Sequence, residues 1–218
     1  MRRAKGTAQS FKLPLSPTHL ISFRDKLSLT SPFDAMIFAI ITTCFFGLLR
    51  IGNVLPTSPT PGNSVIRTKD LIFNNFGAVI TIRASKTIQY KERLHSAVLP
   101  LFPNHPLCPV AALKNFLTVA GLPPQDAPLF SMSNKTLINA QAFRKRLASL
   151  LASIGLSTGV YSTHSLRRGG ATWLLNAGVP LHLIKVLGVW KSDAVLKYLK
   201  PNPKDSLAAL NKYVNKTL

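Results

Sequence analysis

The stretch HSLRRGGATWLLNAG, residues 164–178, decides how the rest of the chain is read. Punctuated by Asn176-Ala177-Gly178 and then Pro180, it predicts a helix from about His164 to Ala177. His164 and Arg167 lie three apart, so they share one face near the start of that helix. Together they form a place to hold one small anion. Backbone N–H groups at a helix N-terminus, and its dipole, add to that capacity. Taken singly, Arg168 reads as a solvated charge and His164 as a capping histidine.

Downstream, the sequence predicts a helix over Pro180–Leu187, a shorter one carrying SDAVLKYL (192–199), and a last one from about Lys204 to Val214. Upstream, NAQAFRKRLASLLASIG (139–155) puts Phe143, Leu147, Leu150, Leu151 and Ile154 on one helical face and leaves Arg144, Lys145 and Arg146 outside. Those three form either a solvated face or a phosphate-contacting one. CPVAALKNFLTVAG (108–121) reads as a helix begun by Pro109 and stopped by Gly121, with Leu113, Phe116, Leu117 and Ala120 as its buried stripe. GLPPQDAPLF (121–130) is a loop.

The period changes in the middle of the chain. SVIRTKDLIFNN (64–75), GAVITIRAS (77–85) and RLHSAVLPL (93–101) are rich in strand formers and are joined by short turns, which predicts a three-stranded antiparallel meander with Lys86 at a hairpin tip. Two Ser-Pro pairs start helices at the front. Ser16-Pro17 opens a short one reaching about Lys26, and Ser31-Pro32 opens an apolar helix ending near Gly47 to Arg50. The fold class is therefore α+β and mostly helical, with one small sheet. Residues 1–12 read as a basic linker and 13–218 as one domain.

Charge narrows the function. The chain has 218 residues, 46% of them hydrophobic, yet carries 27 Lys plus Arg against 7 Asp plus Glu, a formal net charge of +20. So large an imbalance opposes compaction unless a polyanion neutralises it, and nucleic acid is the leading partner ahead of an anionic membrane. Two cysteines, Cys44 and Cys108, offer neither a disulfide framework nor metal-ligand spacing, which fits a reducing compartment. The longest apolar run, 35–49, is too short to span a bilayer, and the N-terminus lacks a signal core. An intracellular protein without cofactor or metal is expected, nuclear if the host is eukaryotic.

Five stretches in chain order, GLLRIGNVLP, ITIRASKT, HPLCPVAAL, HSLRRGGATWLLNAG and LGVWKSDAVLKYL, resemble the catalytic domain of the tyrosine recombinases, the phage-integrase family. LLRIGNVLP and LGVWKSDAVLKYL look most like eukaryotic Crypton-like or retrotransposon-borne members. The resemblance implies DNA strand cleavage and rejoining through a 3′-phosphotyrosine link without a metal, on double-stranded DNA, by a tetramer. It implies that Arg50 and Arg167 clamp the phosphate, an arrangement suited to forked guanidinium hydrogen bonds. His164 assists, Lys86 protonates the departing 5′ oxygen, and Tyr198 attacks phosphorus. Lys91 is a second lysine on that hairpin, but only Lys86 sits in the SKT context. Tyr90, Tyr161 and Tyr213 are rivals, but only Tyr198 falls ten residues after Gly188.

DNA contacts are expected from Lys91, Arg93, Arg144, Lys145, Arg146, Arg168 and Lys191. The chain also departs from the family pattern. Val189 stands where relatives place a His or Trp contact to the phosphate, so either Trp190 takes that part or Trp190 is simply core. Asn53 replaces a frequent glutamate, and no core-binding domain is read ahead of residue 13. A DNA-binding remnant without chemistry is therefore the alternative reading, and a type IB topoisomerase a third.

Overall fold

The computed structural model describes residues 12–57, 65–83, 95–132, 137–190 and 195–196. Its elements are α1 (Pro17–Asp25), α2 (Pro32–Phe46), α3 (Ile51–Val54), β1 (Leu71–Asn74), β2 (Gly77–Ile82), β3 (His95–Pro100), α4 (Pro109–Ala120), α5 (Ala140–Ser153), α6 (Thr163–Asn176) and α7 (Leu181–Leu187). This is the expected mostly helical α+β architecture.

Helix α2 is apolar on every side, and every residue from Ala35 to Phe46 is buried. A helix without a polar face has to sit at the centre of a domain. Helices α1, α4 and α6 surround it, and β3 packs on it as well. At its start, Asp34 complements the dipole and ties two neighbours, accepting from the Ser28 N–H at 3.1 Å and from Arg146 of α5 at 2.9 Å. The Ser16 cap of α1 holds as predicted, with His19 closing a capping box.

The sheet has strand order β1-β2-β3, all antiparallel. The turn at 74–77 is fixed by the Asn74 side chain, whose Oδ1 accepts from the N–H groups of Phe76 and Gly77, both at 2.9 Å. Ala78, Ile80 and Ile82 of β2 and Ala97 and Leu99 of β3 are buried, the alternation expected of a sheet with one covered face. The first strand starts later than its composition suggests. Thr68–Asp70 form a 3-10 turn, because the Asp70 carboxylate accepts from the Arg67 N–H at 2.9 Å and closes the backbone on itself.

Helix α4 buries Leu113, Phe116 and Ala120 as expected, while Leu117 and Ile154, predicted on buried stripes, are only half-buried at the edge of the core. The predicted helix over 204–214, most of the one over 192–199, and the hairpin tip at Lys86 lie outside the described residues.

The Gly169-Gly170 pair explains how α6 reaches α2. A Cβ added at Gly169 would stand 2.0 Å from the Leu15 carbonyl oxygen, and one at Gly170 1.9 Å from that of Phe45. Only glycine permits backbone-to-backbone contact at that range. Gly170→Ala is expected to lower stability by about 2 kcal/mol or more, since the nearest wall is the Phe45 backbone, which cannot move aside as a side chain could. In an exposed helix the same change would stabilise by roughly 1 kcal/mol. Denaturant unfolding of the variant measures which sign holds.

Candidate functional site

The site is assembled at two helix ends. Helix α2 stops at Gly47, with Leu48 in the left-handed region at φ 51° and the Leu49 N–H returning to the Cys44 carbonyl at 3.1 Å. Helix α7 stops in the same way at Gly188, with Val189 at φ 52° and the Trp190 N–H on the Lys185 carbonyl at 3.0 Å. Both are Schellman-type ends, whose last carbonyls point out of the helix. Arg167 meets both of them. Its guanidinium donates to the Leu48 carbonyl through Nη1 and to the Gly188 carbonyl through Nη2, the latter at 2.6 Å. The Trp190 ring lies 4.1 Å from the guanidinium carbon and stacks on it. Arg167 is 6% exposed, which is possible for a charge only with such neighbours.

Arg50 differs from its expected place. It is not the end of α2 but the N-cap residue of the short α3, because α2 has already closed at Gly47 and Leu48 has turned the chain. The turn brings it to the same cleft as Arg167, a narrow opening also lined by Asn53, Ile82, His95 and Val189. Two guanidinium groups 117 residues apart in the chain thus face one space. No carboxylate lines this cleft among the described residues.

His164 stands in the first turn of α6, exposed by area, yet the surrounding protein desolvates its ring. That desolvation, followed by the positive charges of Arg167, Arg50 and Arg168, holds its pKa below the usual histidine value of 6.5. The imidazole is therefore neutral at pH 7. The helix start itself contributes less than expected, because Ser162 already caps it. Ser162 Oγ accepts from the His164 N–H at 3.3 Å, and the Ser162 carbonyl from the Ser165 N–H at 2.9 Å. Positive charge at the cleft comes from guanidinium groups more than from free backbone amides.

The expected DNA-contacting residues divide. Arg144 and Lys145 are exposed on α5. Arg146 is partly withdrawn, paired with Asp34 at 2.9 Å. Arg168 is 4% exposed and so does not lie on the surface as expected, because its position on α6 faces the interior beside Leu166 and Arg167. Tyr161 packs edge-on to His19, with ring centroids 5.8 Å apart, and does not line the cleft. Lys86, Lys91, Arg93, Lys191, Tyr198 and the rival tyrosines Tyr90 and Tyr213 lie outside the described residues.

His95 is the cleft residue that sequence reasoning missed. A single histidine in a strand gives no motif, although its parity with Ala97 and Leu99 was a readable signal for an inward side chain.

A cleft lined by two arginines, set in a helical domain with one small antiparallel sheet, offers positive charge to a small anion. Residues 66–204 match the family model described as the phage integrase family. The chain belongs to that family. Among solved structures it is similar to the XerH site-specific recombinase bound to a palindromic difH substrate in a post-cleavage complex. There the TM-score is 0.64 and identity 18%, over 85% of this chain and 49% of that one. XerA recombinase gives a TM-score of 0.66 at 15% identity, over 96% of this chain and 66% of that one. A lambda integrase dimer bound to a core site gives 0.63 at 14%, over 94% and 64%. Identities this low show the common fold. The chain spans less than two thirds of the length of each of these proteins. No curated protein sequence matches it. No helix among the described residues is long and apolar enough to cross a membrane.

Arg50→Gln is expected to raise the His164 pKa toward 6.5, since it removes one of the charges that depress it while leaving Arg167 in place. His19, His95 and His164 all have lowered pKa values, so below about pH 6.5 the unfolded chain binds more protons than the folded one and stability falls as the pH falls. A histidine NMR titration of wild type and variant checks the first expectation, and unfolding at a series of pH values the second.

Proposed function

We propose that this chain cleaves and rejoins double-stranded DNA by site-specific strand transfer, through a 3′-phosphotyrosine intermediate. The observation that carries this reading is the convergence of Arg50 and Arg167 on one cleft, with His164 within their electrostatic reach. A phosphodiester under attack gains negative charge on its nonbridging oxygens, and two preorganised guanidinium groups stabilise that charge more than they stabilise the resting linkage.

In this reading the Tyr198 oxygen attacks and bonds to phosphorus, while the P–O5′ bond breaks and the 5′ oxygen departs with a proton from Lys86. Neutral His164 accepts or shares the proton released by the tyrosine. Trp190 acts through Arg167, holding its plane by stacking, and brings no separate phosphate contact. Arg144 and Lys145 bind backbone phosphates, with Lys91, Arg93 and Lys191 as further contacts. Arg168, being buried, acts as a charge near His164. Assembly as a tetramer on paired sites, and descent from a eukaryotic Crypton-like or retrotransposon-borne element, belong to the same proposal. The descent rests on LLRIGNVLP and LGVWKSDAVLKYL alone.

A nicked suicide duplex, drawn from a randomised library, is expected to give a covalent protein–DNA adduct on a denaturing gel. Tyr198→Phe should abolish the adduct, and Lys86→Ala should slow it by about 10²–10⁴-fold. An adduct that persists in Tyr198→Phe assigns the nucleophile elsewhere. Salt-dependent binding with no adduct on any duplex supports the alternative, a DNA-binding remnant.

The α5 contacts have their own readout. Arg144→Ala and Lys145→Ala should each weaken binding evenly across sequences and reduce the salt slope by about one. A slope unchanged in both variants removes α5 from the DNA face.

A further inference from the structure

His95 begins β3 and pairs with Ile82, which is buried. Alternation along the strand sets His95 on the same side as the buried Ala97 and Leu99. An inward position at the end of such a ladder ordinarily takes an apolar side chain, as Ile82 does across from it. Here it carries an imidazole, half-buried, at the wall of the cleft that Arg50 and Arg167 also line.

The Leu187 backbone, in the last turn of α7 and next to the Gly188 carbonyl that takes Arg167, faces one nitrogen of the imidazole and favours the protonated ring. The orientation is thus set by the same helix end that orients Arg167, and the second nitrogen is left to meet whatever occupies the cleft. The Val189 side chain, which also lines the cleft, has no donor to offer.

Burial first, and the Arg167 charge second, hold the ring neutral in the free protein. Arg50 and Arg167 are the charged groups lining the cleft among the described residues. A phosphate bound between them offsets their field and favours an imidazolium, the ring taking its proton from solvent.

We infer that His95 is a further phosphate-contacting catalytic residue, donating from its second ring nitrogen to a nonbridging oxygen of the DNA linkage held by Arg50 and Arg167. This inference rests on the strand-cleavage reading.

The test uses the full chain on the nicked duplex library, with an ordinary phosphodiester or, in separate reactions, each diastereomer of a methylphosphonate at the scissile position. His95→Ala should form adduct about 10²-fold more slowly than wild type on the phosphodiester. On the diastereomer lacking the contacted oxygen the two proteins should run alike. His95→Asn, which keeps an N–H donor, should recover part of the rate. Equal slowing on the phosphodiester and on both diastereomers marks a structural role and overturns the inference, as does no slowing at all.

A second measurement needs no active enzyme. In ¹H–¹³C spectra of the wild-type chain, added nicked duplex should raise the pH midpoint of the His95 ring, and an unmoved midpoint overturns the inference. If wild type forms no adduct but the midpoint rises, strand cleavage fails as the function while His95 remains a phosphate contact. The same measurement decides the matter if His95→Ala does not fold.

Discussion

Backbone contact between α6 and its neighbours is the constraint on which the rest of the molecule depends. Gly169 lies against the Leu15 carbonyl and Gly170 against that of Phe45, so α6 sits closer to α2 than any side chain would allow. That closeness puts Arg167, two residues before the pair, within reach of the Leu48 carbonyl just past the end of α2. Had the helices been spaced by ordinary side chains, at 8–10 Å between axes, the guanidinium would not span to both α2 and α7. Thus the requirement for two glycines is a packing requirement, and its consequence is an electrostatic one.

The helix ends around the cleft differ from those elsewhere. Helices α5 and α6 end on glycines in the left-handed region, Gly155 at φ 74° and Gly178 at φ 80°. Helices α2 and α7 put Leu48 and Val189 in that region instead. For a residue with a side chain this conformation costs about 1–2 kcal/mol. Arg167 offsets part of it by donating to a carbonyl at both helix ends, while Leu48 is buried in the small cluster with Ala171, Ile184 and Val195. Of these four helix ends, the two that turn carbonyls toward the arginine are the two that put a residue with a side chain in the left-handed region.

Among the described residues, the paired acids lie away from the cleft. Asp34 holds Arg146, the buried Asp70 holds Arg83 at 2.6 Å, and Asp126 holds Lys69. These pairs brace α5 against α2, the end of β2 against the turn before β1, and that turn against the loop after α4. Burial, with Arg167 at His95 and with Arg167, Arg50 and Arg168 at His164, holds both histidines neutral. The excess of basic residues therefore has a local counterpart in the cleft that Arg50 and Arg167 line.

Much of this was legible in the chain itself. Two Ser-Pro starts, the apolar run of α2, the strand-forming middle and the glycine stops gave the elements and their order, because each depends on residues only a few positions apart. The histidine–arginine spacing of three marked His164 and Arg167 as neighbours on α6 for the same reason, and the Arg167 charge does act on the His164 ring. Tertiary structure alone decided which charges share the cleft. It turned Arg50 out of α2 and into the cap of α3, buried Arg168, drew Arg146 onto Asp34, and brought His95 from a strand edge to face Arg167. Those outcomes depend on how far apart two backbones come to rest, a distance that residues distant in the chain set together and that no local pattern carries.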